Sequence, residues 1–357
     1  MSDSQRVESD AMQELAELAG DRVGGAALAC SDDFFAEKEN LLRASAPVFL
    51  DGKYTDRGKW MDGWESRRRR VEALPDPNHD WCVVRLGMPG VVHGVDVDTR
   101  FFRGNFPEFA RVEGCTIDGD PDVAQVLAGD VEWLEVVPRH PLRGDSSNLF
   151  RAHTSLVEAR RRFTHLRLSI FPDGGVARLR VFGEVVPEWP RLARFGGLVD
   201  VAAIEHGGVV IACNDSFFGS RHNLVMPGRS VNMGDGWETR RKRRAGHDWS
   251  IVKLGHRGVV KRVEIDTNWF KGNFPESAWL DVCDQGRASI DPQSGELVDA
   301  TWKPLLPRTK LRGHTRHFFA SGDGEALLDA GAATHVRLSI HPDGGVSRLR
   351  VHAELSA

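Results

Sequence analysis

The residues best suited to chemistry occur in pairs. Asp62-Gly63-Trp64-Glu65, followed by Arg67 and Arg68, returns as Asp235-Gly236-Trp237-Glu238 with Arg240 and Arg241. A guanidinium can grip a carboxylate through two parallel hydrogen bonds, and a neighbouring glutamate can accept N–H groups or move a proton. The plain alternative is a structural Glu–Arg pair beside a core tryptophan. His79-Asp80-Trp81 returns as His247-Asp248-Trp249. Imidazole titrates near neutrality, so His79 and His247 are candidate acid–base groups. Asp80 and Asp248 could orient them or take ligand N–H groups, or could simply turn the chain into a strand.

A third pair joins Asp98-Thr99 to Gly104-Asn105-Phe106-Pro107-Glu108, and Asp266-Thr267 to Gly272-Asn273-Phe274-Pro275-Glu276. Asp98 and Asp266 close an alternating strand. Asn105, Glu108, Asn273 and Glu276 fall in the loop that follows, where Gly-Asn suits a tight turn at positive φ. Phe102, Phe106 and Pro107 read as packing residues. Leu142-Arg143-Gly144 and Leu311-Arg312-Gly313 offer Arg143 and Arg312 as an anion clamp or as salt-bridged turns. No metal or cofactor is expected. His314-x-x-His317 has no counterpart in the first copy, where Asp145 and Asn148 stand, and neither HExxH, a cysteine cluster, a phosphate loop nor a nucleophile elbow occurs.

These pairs belong to a duplicated unit. Residues 164–184 and 334–354 match at 16 of 21 positions without a gap. The offset between copies is 183 at Gly24/Gly207, 173 at Trp64/Trp237 and 168 at His79/His247. The first copy therefore carries an insertion of about ten residues between Asn40 and Trp64, in the manner of a surface loop added to a common frame. A period this long is a domain, not a solenoid repeat. The expected division is a tail at 1–14, a first repeat at 15–195 and a second at 196–357, with the prolines and glycines after 186 as linker.

The elements that must hold these residues read as short strands. His165–Ile170 alternates, with Leu166, Leu168 and Ile170 on one face and His165, Arg167 and Ser169 on the other. Pro172-Asp173-Gly174-Gly175 is turn chemistry, and Val176–Val181 returns as a strand with Arg178 and Arg180 outward. This HLRLSI-x-PDGG stretch reads as sheet and hairpin, not catalytic. Trp81–Leu86 and Val92–Asp98 read as two runs broken at Gly87-Met88-Pro89-Gly90. Only Ser9–Leu18 and parts of Ser155–Arg162 read as helical. Many strands with Gly/Pro turns and few helices predict an all-β fold, two tandem jelly-roll β-sandwiches that resemble galactose-binding-like and discoidin-type domains.

Composition sets limits. The apolar fraction of 41% and charged fraction of 27% exclude extensive disorder. A formal net charge of −4 offers no global field for nucleic acid or an anionic membrane. The basic runs Arg67–Arg70 and Arg240–Arg244 lack interleaved aromatics and read as solvated strips. Five scattered cysteines (Cys30, Cys82, Cys115, Cys213, Cys283), odd in number, predict no disulfide framework and a reducing compartment. The acidic N-terminus reads as no signal peptide, and no run approaches the length of a transmembrane helix.

Taken together, FF…NL, DGWE-x-RR, HDW-x-x-x-x-LG, DT-x-x-F-x-GNFPE and H-x-RLSI-x-PDGG resemble the allantoicase family, over about residues 15–355 and in both copies. That resemblance implies two jelly rolls, a cytoplasmic location, assembly into homo-oligomers, and hydrolysis of allantoate to ureidoglycolate and urea in purine-derived nitrogen salvage. It implies a small-molecule substrate carrying one carboxylate and two ureido groups on a single carbon. On this reading Arg67, Arg143 and their partners are expected on the carboxylate, with Arg68 and Arg241 beside them. Asp80, Asp98, Asn105 and partners are expected on the ureido groups. Glu65, His79, Glu108 and partners are expected to transfer protons. A tandem discoidin-like ligand- or carbohydrate-binding module without catalysis is the competing expectation, and an intracellular scaffold with one degenerate copy a third.

Overall fold

The computed structural model describes residues 12, 15–69, 79–194, 196–286, 289–291, 293–322 and 326–356. The chain divides into two compact units, one ending at Val186 and the next starting at Pro187. In the first, the strands are β1 (Ala16–Glu17), β2 (Ala26–Cys30), β3 (Tyr54–Thr55), β4 (Gly58–Lys59), β5 (Trp64–Glu65), β6 (Asp80–Asp98), β7 (Phe109–Cys115), β8 (Leu134–Pro141), β9 (Leu149–Arg151), β10 (Arg162–Phe171), β11 (Gly175–Val176) and β12 (Arg178–Val185). In the second they are β13 (Val199–Asp200), β14 (Val209–Cys213), β15 (Trp237–Glu238), β16 (Asp248–Asp266), β17 (Ser277–Cys283), β18 (Lys303–Lys310), β19 (Arg316–Ala320), β20 (Ala332–His341), β21 (Gly345–Val346) and β22 (Arg348–Leu355).

Both units are all-β jelly rolls with one plan. The first sheet runs β1-β12-β6-β10-β7-β8 with β2 and β9 also on β6, and the second runs β13-β22-β16-β20-β17-β18 with β14 and β19 on β16. The hairpin β3–β4 lies in the first-unit insertion. Each core centres on a fully buried tryptophan and phenylalanine, Trp64 with Phe102 and Trp237 with Phe270.

Three local expectations are corrected. The two runs expected on either side of Gly87-Met88-Pro89-Gly90 form one strand, β6, of 19 residues, and the expected punctuation survives as a shift of register against β10 between Arg85 and Gly90. The glycines serve close approach instead of a turn. A Cβ on Gly87 would lie 2.4 Å from the Val23 carbonyl, and one on Gly90 2.1 Å from the Glu184 carbonyl. Leu18 accepts the N–H groups of Gly87 and Met88, and Pro89, which lacks an N–H, accepts from Val186. Secondly, Arg178 is fully buried, not outward. The loop at 43–62 folds over that face and supplies its partners, the carbonyls of Ser45 and Asp62 and the Asp62 carboxylate. Thirdly, His165 and Ser169, on the face of β10 opposite its leucines, are buried as well, while Arg167 between them is half-buried.

The helix expected over Ser9–Leu18 lies partly outside the described residues. Within them, Ala16–Glu17 is a strand on β12. A short helix does form at Thr154–Glu158. Among the described residues no helix is long and apolar enough to cross a membrane.

Candidate active site

Glu65 is positioned from behind. The Trp64 indole N–H donates to the Asp32 carbonyl at 2.8 Å. The buried Asn40 amide donates to the Gly63 carbonyl at 2.9 Å, and Arg178 donates to the Asp62 carboxylate at 2.8 Å. Held on that side, Glu65 pairs with Gly175 across β5 and β11. The Asn105 amide then donates to its carboxylate at 2.6 Å. Asn105 is fixed in turn, because its carbonyl accepts the Gly175 N–H at 2.7 Å. A Cβ on Gly175 would meet the Phe102 ring at 2.0 Å, so only glycine lets the PDGG turn come this close.

Burial raises the Glu65 pKa, and the Asn105 hydrogen bond offsets only part of that rise. The result is a carboxyl that keeps its proton closer to neutrality than a free glutamate would. Such a group can act as a general acid.

Glu65, Asn105, Gly104 and Phe35 border two cavities. One, of about 490 Å³, is walled by Phe35, Phe49, Met61 and Phe101 and carries Lys59 and Arg103. The other, of about 830 Å³, carries more charged side chains, among them Arg67, Arg68, Arg69, Glu108 and Asp173. Volumes of this size suit small-molecule ligands. The insertion roofs the first cavity, with Phe49 stacked on Phe101 at 5.8 Å between ring centroids. Met61 packs on Phe102 and Ala177. Phe101 itself stands at φ 70°, as does Trp269 in the second unit. The positive-φ position expected at Gly104-Asn105 thus falls on a bulky residue, held there by the Asp145 carboxylate, which accepts its N–H at 2.8 Å. Strain of this kind gathers at functional sites.

The second unit repeats the wall. The Asn273 amide donates to Glu238, which pairs with Gly345, and a cavity of about 600 Å³ is lined by Glu238, Arg241, Asn273, Glu276, Lys310 and Asp343. The two glutamates next to the cavities differ. Glu276 accepts the Ser277 hydroxyl at 2.6 Å and Arg308 at 3.2 Å, and these bonds hold its carboxyl low. In the first unit Phe109 replaces Ser277, and Arg139, at the Arg308 position, lies over the rings of Phe109 and Phe171 at 4.5 and 4.4 Å. Among the described residues no cation pairs with Glu108, which is exposed.

The structure therefore brings together Glu65, Arg67, Arg68, Asn105 and Glu108, and separately Glu238, Arg241, Asn273 and Glu276. Arg67 sits at the rim with its guanidinium on Asp32 at 2.6 Å. Burial pushes the Asp32 carboxyl up, but the Arg67 hydrogen bonds outweigh it and hold the group low. Arg240 lies 4.1 Å over Phe217 and 3.8 Å from Asp215.

The remaining candidates are not brought to the cavity walls. His79 stacks on Phe171 and His247 on Trp279, each at 4.7 Å; burial, then the Arg337 charge, lowers the His247 pKa. Asp80 is buried against Arg69 at 2.6 Å and Ser31 at 2.7 Å, and Asp248 against Lys242 at 2.6 Å. Asp98 closes on the Arg100 backbone and guanidinium, and Asp266 on Arg229 and the Asn268 N–H. The Arg143 and Arg312 side chains are exposed, while their carbonyls accept the hydroxyls of Thr99 and Thr267.

Lys59, Phe49 and Asp173 were not foreseen as site residues. Asp173 sits in the PDGG turn, set aside as a hairpin, and the near-identity of that stretch in both copies was the available signal. Lys59 and Phe49 lie in the insertion, where no second copy exists to flag them. Among the described residues no three His, Cys, Asp or Glu side chains gather as a metal cage.

This geometry has known relatives. A family model for the allantoicase repeat matches residues 16–186 and 199–356. The allantoicase of Dictyostelium discoideum is 47% identical over 344 residues, 96% of this chain and 88% of the relative. A probable allantoicase of Pseudomonas aeruginosa (strain UCBPP-PA14) is 46% identical over 340 residues, 94% of each chain. The crystal structure of allantoicase from Saccharomyces cerevisiae superposes with a TM-score of 0.77 at 31% identity, covering 99% of both chains. With both repeats matched and identity sustained over nearly its whole length, the chain belongs to the allantoicase family.

Proposed function

We propose that the chain hydrolyses allantoate to ureidoglycolate and urea at the wall formed by Glu65 and Asn105, with Glu65 as proton donor. The observation that carries the assignment is a carboxyl raised in pKa by burial, oriented by one amide and open to two cavities. The reaction needs such a group. The bond from the central carbon to one ureido nitrogen breaks, and its electron pair stays on that nitrogen. Glu65 protonates the nitrogen, and urea leaves. The lone pair of the remaining ureido nitrogen forms a C=N bond to the carbon. Water adds to that carbon and returns a proton to Glu65, completing ureidoglycolate and resetting the acid.

The Asn105 amide nitrogen is committed to Glu65, which leaves its side-chain oxygen to accept a ureido N–H. Glu108 and Asp173 are further acceptors on the more charged side. Unlike surroundings on the two sides of Glu65 give the two chemically identical ureido groups different environments, as a single product enantiomer requires. We also propose a cytoplasmic, self-associating enzyme. The five free thiols support the compartment, and the family resemblance supports the assembly.

Purified protein should release one urea and one ureidoglycolate per allantoate consumed. Glu65→Gln should lower kcat about 10²–10⁴-fold with an unchanged circular dichroism spectrum. Folded wild-type protein that leaves allantoate intact, with or without added divalent ions, would remove the reaction. Full activity in Glu65→Gln would remove only the role of Glu65.

A further inference from the structure

The Glu65 site, on the reading above, still needs a cation for the substrate carboxylate. The arginines near it are engaged elsewhere: Arg68 lines the larger cavity, where its charge bears on Asp173. Arg67 is bound to Asp32 at 2.6 Å, and Arg103 to Asp145 at 3.0 Å. Arg143 is exposed and lines neither cavity. Lys59 differs. It closes the hairpin of β3 and β4, and its side chain lines the 490 Å³ cavity next to Glu65. Among the described residues no carboxylate pairs with it, and its ammonium rests 4.5 Å from the centre of the Phe49 ring. A cation over an aromatic face, beside an apolar wall, keeps its charge available to an incoming anion.

Lys59 also belongs to the segment the second repeat lacks. Counting from Asn40/Asn223 to Trp64/Trp237 leaves ten fewer residues in the second copy, and these include the hairpin. The second cavity therefore has the Glu238–Asn273 wall without this roof, and Lys310 and Arg308, cations beside it, already act on Glu276.

We propose that Lys59 is the specificity-determining residue that recognises the allantoate carboxylate, so that the first repeat alone holds the complete reaction pocket. The substrate's carboxylate lies on the insertion side of Glu65, under Phe49, while a ureido group reaches across to the more charged side.

The test uses the full chain and two ligands that differ only in the carboxylate, allantoate and methylenediurea. Lys59→Met should raise the allantoate KM about tenfold or more, with kcat changed less than threefold, because a lost charge-assisted hydrogen bond at a partly exposed site has that size. The inhibition constant of methylenediurea should stay within twofold of wild type. Lys59→Arg should recover most of the affinity. In a Glu65→Gln background, which binds without turnover, titration calorimetry should show the same tenfold loss on adding Lys59→Met. In the same Glu65→Gln background the titration should show one allantoate site per chain. An unchanged KM in Lys59→Met, or a methylenediurea constant that rises in parallel, would overturn the role of Lys59. Two allantoate sites of similar affinity per chain would overturn the restriction to the first repeat. Neither result touches the assignment of Glu65, which stands or falls on its own variant.

Discussion

Glu65 acts through a balance of two opposed effects. Burial favours the neutral acid, and the Asn105 amide, which donates to the carboxylate, favours the anion. As a general acid it is active while protonated, so kcat/KM should fall as pH rises through its raised pKa. Removing the amide removes the hydrogen bond that lowers that pKa. Asn105→Ala should therefore move the alkaline limb of the pH–rate profile upward, even as the rate drops for want of orientation. Steady-state kinetics from pH 5 to 9 would show this, and a limb that stays put would mean that another group sets it. The same shift has a stability counterpart. A carboxyl whose folded pKa is raised contributes stability below its unfolded value, and that contribution is lost as pH rises through the folded value. Glu65→Gln should accordingly be at least as stable as wild type at pH 7.

At the scale of elements, the site rests on two buried ion pairs. Arg178–Asp62 at 2.8 Å ties β12 to the loop before β5, and Arg348–Asp235 at 3.0 Å repeats the tie. Burial would push the Asp62 carboxyl up, but its bonds to Arg178 and to the Val48 N–H outweigh this and hold it low. Arg178→Met would leave that buried charge only the half-exposed Arg43, at 3.3 Å, as ion-pair partner, at a cost of about 3 kcal/mol. The double change Arg178→Met with Asp62→Asn should cost clearly less than the two single losses added. Urea denaturation of the three variants would measure the coupling, and simple additivity would contradict it. These arginines also mark where the sequence stops being readable. Glu65, Asn105 and Glu108 were legible because duplication kept them inside long motifs. The burial of Arg178 was not, because strand alternation says which residues share a face and not whether a distant loop covers it. Gly87 and Gly90 misled for a related reason. Glycine signals a turn locally, yet here it admits a neighbouring carbonyl that only the folded chain brings near. Lys59 had no local pattern at all, being in an insertion without a second copy for comparison.

Across the whole molecule, duplication has preserved a buried imidazole at the same place in each repeat. His165 on β10 and His335 on β20 bond the hydroxyls of Thr164 and Thr334 at 2.8 and 2.9 Å through Nδ1, while Nε2 is buried without a hydrogen-bond partner among the described residues. Burial, followed by the charges of Arg85 and Lys253, lowers each pKa to about 4. An unfolded histidine titrates near 6.5, so between there and about 4 the unfolded chain takes up protons that the native chain refuses. Stability is full above the unfolded value and is lost as pH falls through this window. Asp200 works in the opposite sense, because burial raises its pKa to about 6 and the native chain holds a proton the unfolded chain has released. Glu17, Glu65, Asp96 and Asp173, whose carboxyls burial also raises, act in the same sense as Asp200, while His352, lowered to about 4 by burial first, acts with the paired imidazoles. The slope of stability against pH is the difference between these two sets. In His165→Gln with His335→Gln the absolute midpoint can shift either way, but the urea midpoint relative to wild type should rise as pH falls from 6.5 to 4, since two of the refused protons are gone. Midpoints for wild type and the double variant at half-unit steps would decide it, and parallel curves would mean that the paired imidazoles do not govern the acid limit of the fold.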